Sequence, residues 1–158
     1  MADADADPPA LDDIDWAILA EVQADARVTI AELASRVHLS PSATRDRLRR
    51  LEATGVIAGY RAVVDPSRAG RPVRASIRLR HRGHDLRRLH ALIDAEPAVT
   101  ECLHVSGDEC FLLRVTARSL AEVEEVASRL AALGNVTTNL VFSTVLDGRP
   151  LPPPRSTA

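Results

Sequence analysis

The sequence predicts an α+β protein in two parts, a helix-turn-helix with a following wing and then a ferredoxin-like βαββαβ unit. Three observations predict it. Apolar residues recur at helical spacing over residues 11–54, with only residues 38–40 between the second and third helices. From Val73 onward the apolar period drops to two, then alternates between helical and extended runs. A stretch rich in turn residues, Asp65-Pro66-Ser67-Arg68-Ala69-Gly70-Arg71-Pro72, separates the two regimes.

The elements follow in order. Ile14, Ile18, Leu19 and Val22 predict a first helix over 12–24. Thr29 and Glu32 form a capping box for a second, whose apolar face is Ile30, Leu33, Ala34 and Val37. Ser40 followed by Pro41 opens a third, which runs to Thr54 and stops at Gly55. Residues 56–64 read as extended chain, a wing or strand. Val73, Ala75, Ile77 and Leu79 alternate with Arg74, Ser76, Arg78 and Arg80, the pattern of a half-buried strand. A helix over 85–95 carries Leu86, Leu89 and Ile93 on one stripe and ends before Pro97. Strands over 99–106 and 110–116 flank the turn at Gly107 and Asp108. Ser119 and Glu122 form a second capping box, for a helix that Gly134 closes, and residues 136–146 make the last strand. The resulting organisation is a disordered tail over 1–10, a first domain over 11–64, a linker over 65–72, a second domain over 73–147 and a flexible tail over 148–158.

Composition bounds the function. The 158 residues carry 20 basic and 22 acidic side chains, so nucleic-acid affinity must come from a local patch. Every basic residue is Arg, which suits bidentate contacts to phosphate and base edges. Aromatics are 3%, too few for a base-stacking single-strand binder. Two cysteines, Cys102 and Cys110, cannot make a disulfide scaffold and read as small buried hydrophobes. The acidic N-terminus has no basic or apolar signal region, and no apolar run approaches a membrane span, which predicts a cytoplasmic protein without a membrane partner.

The local patch is the third helix. Thr44, Leu48 and Leu51 must face the core, which turns Ser42, Arg45, Asp46 and Arg49 outward with Arg47 and Arg50 on the flanks. Short polar residues at the N-terminus (Ser40, Ser42, Ala43) and Arg beyond them are what a recognition helix needs to approach base edges and phosphates of double-stranded DNA. The acids Asp12, Asp13, Asp15 and Glu21 lie on the first helix, which predicts charge polarised between opposite faces. A solvated helix face is the plain alternative reading of the Arg run.

Other candidates carry less. His81 and His84 lack a third and fourth ligand at useful spacing, so no metal is predicted and they read as polar loop histidines. Cys110 and His104 flank one turn, but nothing nearby completes a catalytic set, so no enzyme activity is predicted. The strand face that two helices leave uncovered is expected to be apolar and to drive dimerisation, which would space two recognition helices for a roughly palindromic operator.

Several linked motifs resemble those of the Lrp/AsnC transcriptional regulators. They are Leu11-Asp12-Asp13-Ile14-Asp15-Trp16-Ala17-Ile18-Leu19 through Asp25-Ala26-Arg27, then Glu32-Leu33-Ala34 and Leu39-Ser40-Pro41-Ser42. Arg47-Leu48-Arg49-Arg50-Leu51-Glu52 and Gly55-Val56-Ile57-Ala58-Gly59-Tyr60 complete the set, and the likeness extends over about 11–146. The resemblance implies a winged helix-turn-helix joined to a ferredoxin-like (RAM-type) effector domain. It further implies dimers formed through the sheet, higher assemblies up to an octamer, and small effectors, mostly amino acids, bound between dimers. The family's hairpin commonly reads Gly-Asp-x-Asp, whereas this chain has Gly107-Asp108-Glu109-Cys110. An effector is therefore expected near Val105, Ser106, Gly107, Asp108, Glu109 and Cys110, with Thr137 and Asn139 as neighbours from the same or an adjoining subunit. No other cofactor is implied. Two alternatives share the plan: a siroheme-decarboxylase-like enzyme, which would bind a coloured tetrapyrrole, and an effector-free architectural DNA-binding protein with little sequence preference.

Overall fold

The computed structural model describes residues 10–81, 86–107 and 111–154. They divide into two units, one holding residues 10–62 with 146–154, the other residues 63–145. Expectations placed on residues 1–9, on His84 and on Asp108, Glu109 and Cys110 lie outside the described residues.

The first unit is three helices, α1 (Asp13–Ala24), α2 (Ile30–Arg36) and α3 (Pro41–Ala53). Each starts on a side chain that accepts a backbone N–H otherwise left unpaired. Asp12 and Asp15 form a capping box on α1, Thr29 and Glu32 form one on α2, and Ser40 caps α3 with Pro41 behind it. The box on α1 uses Asp at both ends of an Asp-x-x-Asp spacing, in place of the usual Ser or Thr and Glu. Helix α2 ends in a Schellman motif: Leu39 N–H donates to the Ala34 carbonyl at 3.0 Å, and His38 adopts a left-handed φ of 56°. Gly55 stops α3 with φ 73°. Ile18, Leu19, Val22, Leu33, Val37 and Leu51 form the core, with Leu39, Leu48, Val56 and Ile57 packed against it. Residues 58–65 leave α3 without pairing into a strand, so the wing is chain rather than ladder. Tyr60 ties this chain back by donating its hydroxyl to Glu52 at 2.9 Å, and burial together with that carboxylate pushes its pKa up to about 12. The C-terminal segment is anchored on the same unit. The Gln23 amide donates to the Leu151 carbonyl at 3.3 Å and accepts from the Leu151 N–H at 2.7 Å.

The second unit is β1 (Val73–His81), α4 (Arg87–Ala95), β2 (Val99–His104), β3 (Phe111–Ala117), α5 (Leu120–Ala131) and β4 (Gly134–Leu140). The antiparallel sheet runs β2-β3-β1-β4. Ala75, Ile77 and Leu79 of β1 and Leu113, Val115 and Ala117 of β3 are buried with Leu89 of α4 and Val123, Val126 and Leu130 of α5. The period-two signal thus identified the covered face correctly.

Four expectations are corrected. Glu122 does not close a box on Ser119; its carboxylate accepts instead from the Arg118 N–H at 2.6 Å, one residue earlier. Gly134 does not close a helix but opens β4, and a Cβ there would run into the Arg80 carbonyl, so close approach of two strands is what demands glycine. The uncovered face is not apolar. Register puts Ser76 opposite Asn139, Arg78 opposite Thr137 and Glu101 opposite Arg114, with Leu103 facing Leu112 as its apolar pair. Alternation fixed the apolar residues on the helix side and left Arg, Ser, Thr and Asn on the other. Further exposed apolar surface in this unit lies at Val63 and Val64 and, because β4 ends at Leu140 rather than at 146, at Phe142 and Val145.

Candidate nucleic-acid interface

Helix α3 is built with one face inward and one outward. Thr44 and Leu51 are buried, and the Thr44 hydroxyl donates to the Ser40 carbonyl at 3.0 Å, so a polar residue sits inward without cost to the core. Ser42, Arg45, Asp46 and Arg49 lie exposed on the opposite face, as the spacing predicted, with Ala43 half-buried beside them. Ser40 Oγ is already engaged as the cap, accepting from the Ala43 N–H at 3.2 Å and lying 3.1 Å from Ser42 Oγ. Among the described residues Arg45 and Arg49 make no ion pair.

Arg47 and Arg50 are placed differently from Arg45 and Arg49. Both turn to α1. Arg47 Nη1 donates to Asp12 Oδ2 at 2.7 Å and to Asp15 Oδ1 at 2.9 Å, and Arg50 Nη2 donates to Asp15 Oδ2 at 2.6 Å. Asp15 is fully buried. Burial works against its charge, but hydrogen bonds from Arg50, the Asp12 N–H and Arg47 outweigh that and hold its carboxyl below the ordinary range. Asp12 is lowered too, chiefly by the Asp15 N–H and then by Arg47. The predicted separation of acids and bases onto opposite faces is therefore corrected: the two acids of α1 reach across to α3. Helical period explains the split, since Arg45 and Arg49 are four apart on one face while Arg47 and Arg50 are three apart on another.

The expected effector residues are only partly brought together. Val105, half-buried, and exposed Ser106 and Gly107 follow β2, and Gly107 takes φ 109°, a conformation open to glycine. Thr137 and Asn139 lie exposed on β4, the opposite edge of the sheet. Three inter-strand spacings separate those edges, about 14 Å. One small effector cannot touch both sets within one chain. Cys102 is half-buried and burial pushes its thiol pKa up, away from a reactive thiolate. Among the described residues no group of three or more His, Cys, Asp or Glu is placed to share a metal ion, and no helix is long and apolar enough to cross a membrane.

A winged helix-turn-helix DNA-binding model matches residues 11–58, and a model for the Lrp/AsnC ligand binding domain matches residues 74–151. The chain belongs to the Lrp/AsnC family. It is 39% identical over 139 residues to the leucine-responsive regulatory protein of Rhizobium meliloti, covering 85% of this chain and 89% of that protein. It is 35% identical over 146 residues to the transcriptional regulator LrpA of Mycobacterium tuberculosis, covering 89% and 95%. A solved complex of a Neisseria meningitidis transcriptional regulator with L-methionine superposes with a TM-score of 0.84 at 26% identity, covering 90% of this chain and 97% of that one. This Lrp/AsnC chain thus joins a DNA-binding unit to a ligand-binding unit, and the relatives named here are regulatory proteins.

Proposed function

We propose that this protein is an amino-acid-responsive transcriptional regulator that reads double-stranded DNA in the cytoplasm with α3. The observation that carries the reading is the outward face of α3, where Arg45 and Arg49 stand exposed and unpaired among the described residues beside Ser42 and Asp46. Arg at these positions reaches guanine edges or phosphates once the helix lies in a major groove. Assembly as a homodimer, and from dimers to a larger ring, would present two such helices to a roughly palindromic site. Exposed Phe142, Val145, Val63 and Val64 supply apolar surface that a second copy would cover.

The effector would be a free amino acid held near Gly107. Its carboxylate needs N–H donors, which a glycine turn can aim outward, and its ammonium needs an anion, which Asp108 or Glu109 can supply where Cys110 cannot. Thr137 and Asn139, on the far edge of the sheet, would serve such a ligand from an adjoining subunit. The L-methionine complex of the Neisseria meningitidis regulator supports this ligand class. Occupancy between subunits would then shift assembly and DNA binding together, a coupling typically of about 1–3 kcal/mol.

The test is binding to a duplex from the gene's own upstream region. Arg45→Ala and Arg49→Ala should each weaken it by about 1–3 kcal/mol if the residue contacts a base. Unchanged affinity and salt dependence in both variants would end the reading. For the effector, calorimetric titration with L-amino acids should give a signal that Asp108→Ala weakens, and equal affinity in the two proteins would remove Asp108 from the site.

A further inference from the structure

We infer that Asp15 is a specificity-determining residue of the DNA-reading helix, because it withholds the Arg47 and Arg50 guanidiniums from the DNA backbone. The inference rests on the reading of α3 as the DNA face and divides its four arginines into two that bind and two that do not.

The geometry carries it. Asp15 has a side chain only 1% exposed, and both of its oxygens are taken, Oδ1 by Arg47 and Oδ2 by Arg50. Arg47 is held a second time by Asp12 at 2.7 Å. The four groups sum to zero charge. A guanidinium that swung out to a phosphate would leave a buried carboxylate without its cation, where little water can replace it. It would also leave uncompensated negative charge beneath an approaching polyanion. Arg45 and Arg49 face no such barrier, having no acid to abandon among the described residues. An Arg run of this kind, left free, would grip any phosphate backbone, since phosphate contacts carry no sequence information. Neutralising half of it lowers sequence-independent affinity and leaves base contacts a larger share of the total. Asp15 therefore acts on selectivity through Arg47 and Arg50, without touching DNA.

Salt titration by fluorescence anisotropy separates this role from a merely structural one. The probes are a duplex that the full-length protein selects from a random-sequence pool and a scrambled duplex of the same length and composition. The proteins are wild type, R45Q, R50Q and D15N. R50Q should keep the wild-type salt slope on both duplexes and lose less affinity than R45Q, since it removes no phosphate contact although it leaves Asp15 one cation short. D15N should bind the scrambled duplex more tightly, with a smaller ratio of selected to scrambled affinity. Each freed guanidinium that finds a phosphate steepens log K against log salt by about 0.9, or about eightfold in affinity at 0.1 M salt. Should D15N fail to fold, Asp12→Asn keeps an N-cap side chain, loosens Arg47 alone, and should move both quantities the same way by less. R50Q weakening the scrambled duplex as much as R45Q does would overturn the inference and leave the DNA face standing. A folded D15N with weaker binding and an unchanged slope would do the same, by making Asp15 a scaffold residue. R45Q indistinguishable from wild type would instead bring down the DNA-face reading, and this inference with it.

Discussion

The two units of this protein are held together by different physics. Among the described residues the sheet unit buries twelve in one apolar cluster, while the helical unit buries six in its own. The helical unit makes up the difference with polar devices: two capping boxes, a Ser cap, a Schellman turn and a carboxylate buried between two arginines. The sheet unit also has polar devices among the described residues, a Ser119 cap on α5 and Glu96, which accepts from Arg129 at 2.6 Å and fastens α5 to the end of α4. Small helical units cannot bury enough area to rely on burial alone. What they gain from charge and caps they also expose to pH, and the sheet unit should depend on pH less, Glu122 being its depressed carboxyl among the described residues.

The largest expected effect is therefore volumetric and falls on the sheet. Ile77 is fully buried at the centre of β1, flanked by β3 and β4. Ile77→Ala should destabilise the sheet unit by about 2–5 kcal/mol through lost transfer energy and the cavity left behind. Urea unfolding followed by amide exchange should locate the loss in residues 73–140. A loss spread equally over the helices of the first unit would mean that the two units unfold as one, and would break the comparison.

The next effect runs through pH and falls on the helices. The folded-state pKa values of Asp15 and Asp12 lie below the ordinary range of an aspartate carboxyl. A depressed carboxyl contributes stability that is fully present above the unfolded value and is lost as the pH falls through the folded one. The helical unit should thus keep its stability down to about pH 5 and lose it progressively below pH 4, before the sheet unit yields. In D15N that acid limb should flatten, and at neutral pH the unit should be weaker by about 2 kcal/mol, since charged hydrogen bonds to a buried acceptor are lost. Circular dichroism against pH on both proteins measures it. An unchanged acid limb in D15N would show that the depressed carboxyl is not what acid titrates.

The same contrast explains what was legible in the sequence. Apolar period predicted the helices and strands of the ladder, and for β1 the face it buries, because one-sided burial imposes its spacing on the residues. Local caps with Ser or Thr were legible too. The Asp15 clamp was not, since residues 12–15 and 47–50 meet only after the helices pack, and a list of charges assigns them to faces without pairing them. Arg47 and Arg50 therefore looked like part of the DNA set. The polar uncovered face is present in the alternation of β1, where Arg74, Ser76, Arg78 and Arg80 separate the apolar residues, and strand order adds Thr137 and Asn139 of β4 beside Ser76 and Arg78. The run of 136–146 looked like one strand by composition, but the ladder with β1 closes at Ala75 opposite Leu140. One further bond, from Val141 N–H to the Arg74 carbonyl, is all that follows.

The smallest predicted effect is the sharpest test of how local the first unit's stability is. His38 sits one residue past the end of α2 with φ 56°, in the region L-residues enter at a cost of about 1–2 kcal/mol. Its side chain is exposed and makes no hydrogen bond among the described residues, so the position uses the backbone alone. The motif requires that backbone: Leu39 N–H reaches the Ala34 carbonyl only if residue 38 turns left, and Leu39 then packs on the core beneath the turn. Glycine enters this region without the Cβ penalty but loses more freedom on folding, so the gain is the difference between the two. His38→Gly should therefore stabilise the helical unit by about 0.5–1 kcal/mol. The gain should appear in that unit's denaturation midpoint and leave the sheet unit's unchanged. It should also leave DNA affinity where it was, because the angle between α2 and α3 is already the one glycine would adopt. A destabilised variant would mean that the His38 ring holds the turn through a contact of its own, and the end of α2 would then owe its geometry to a side chain rather than to the backbone.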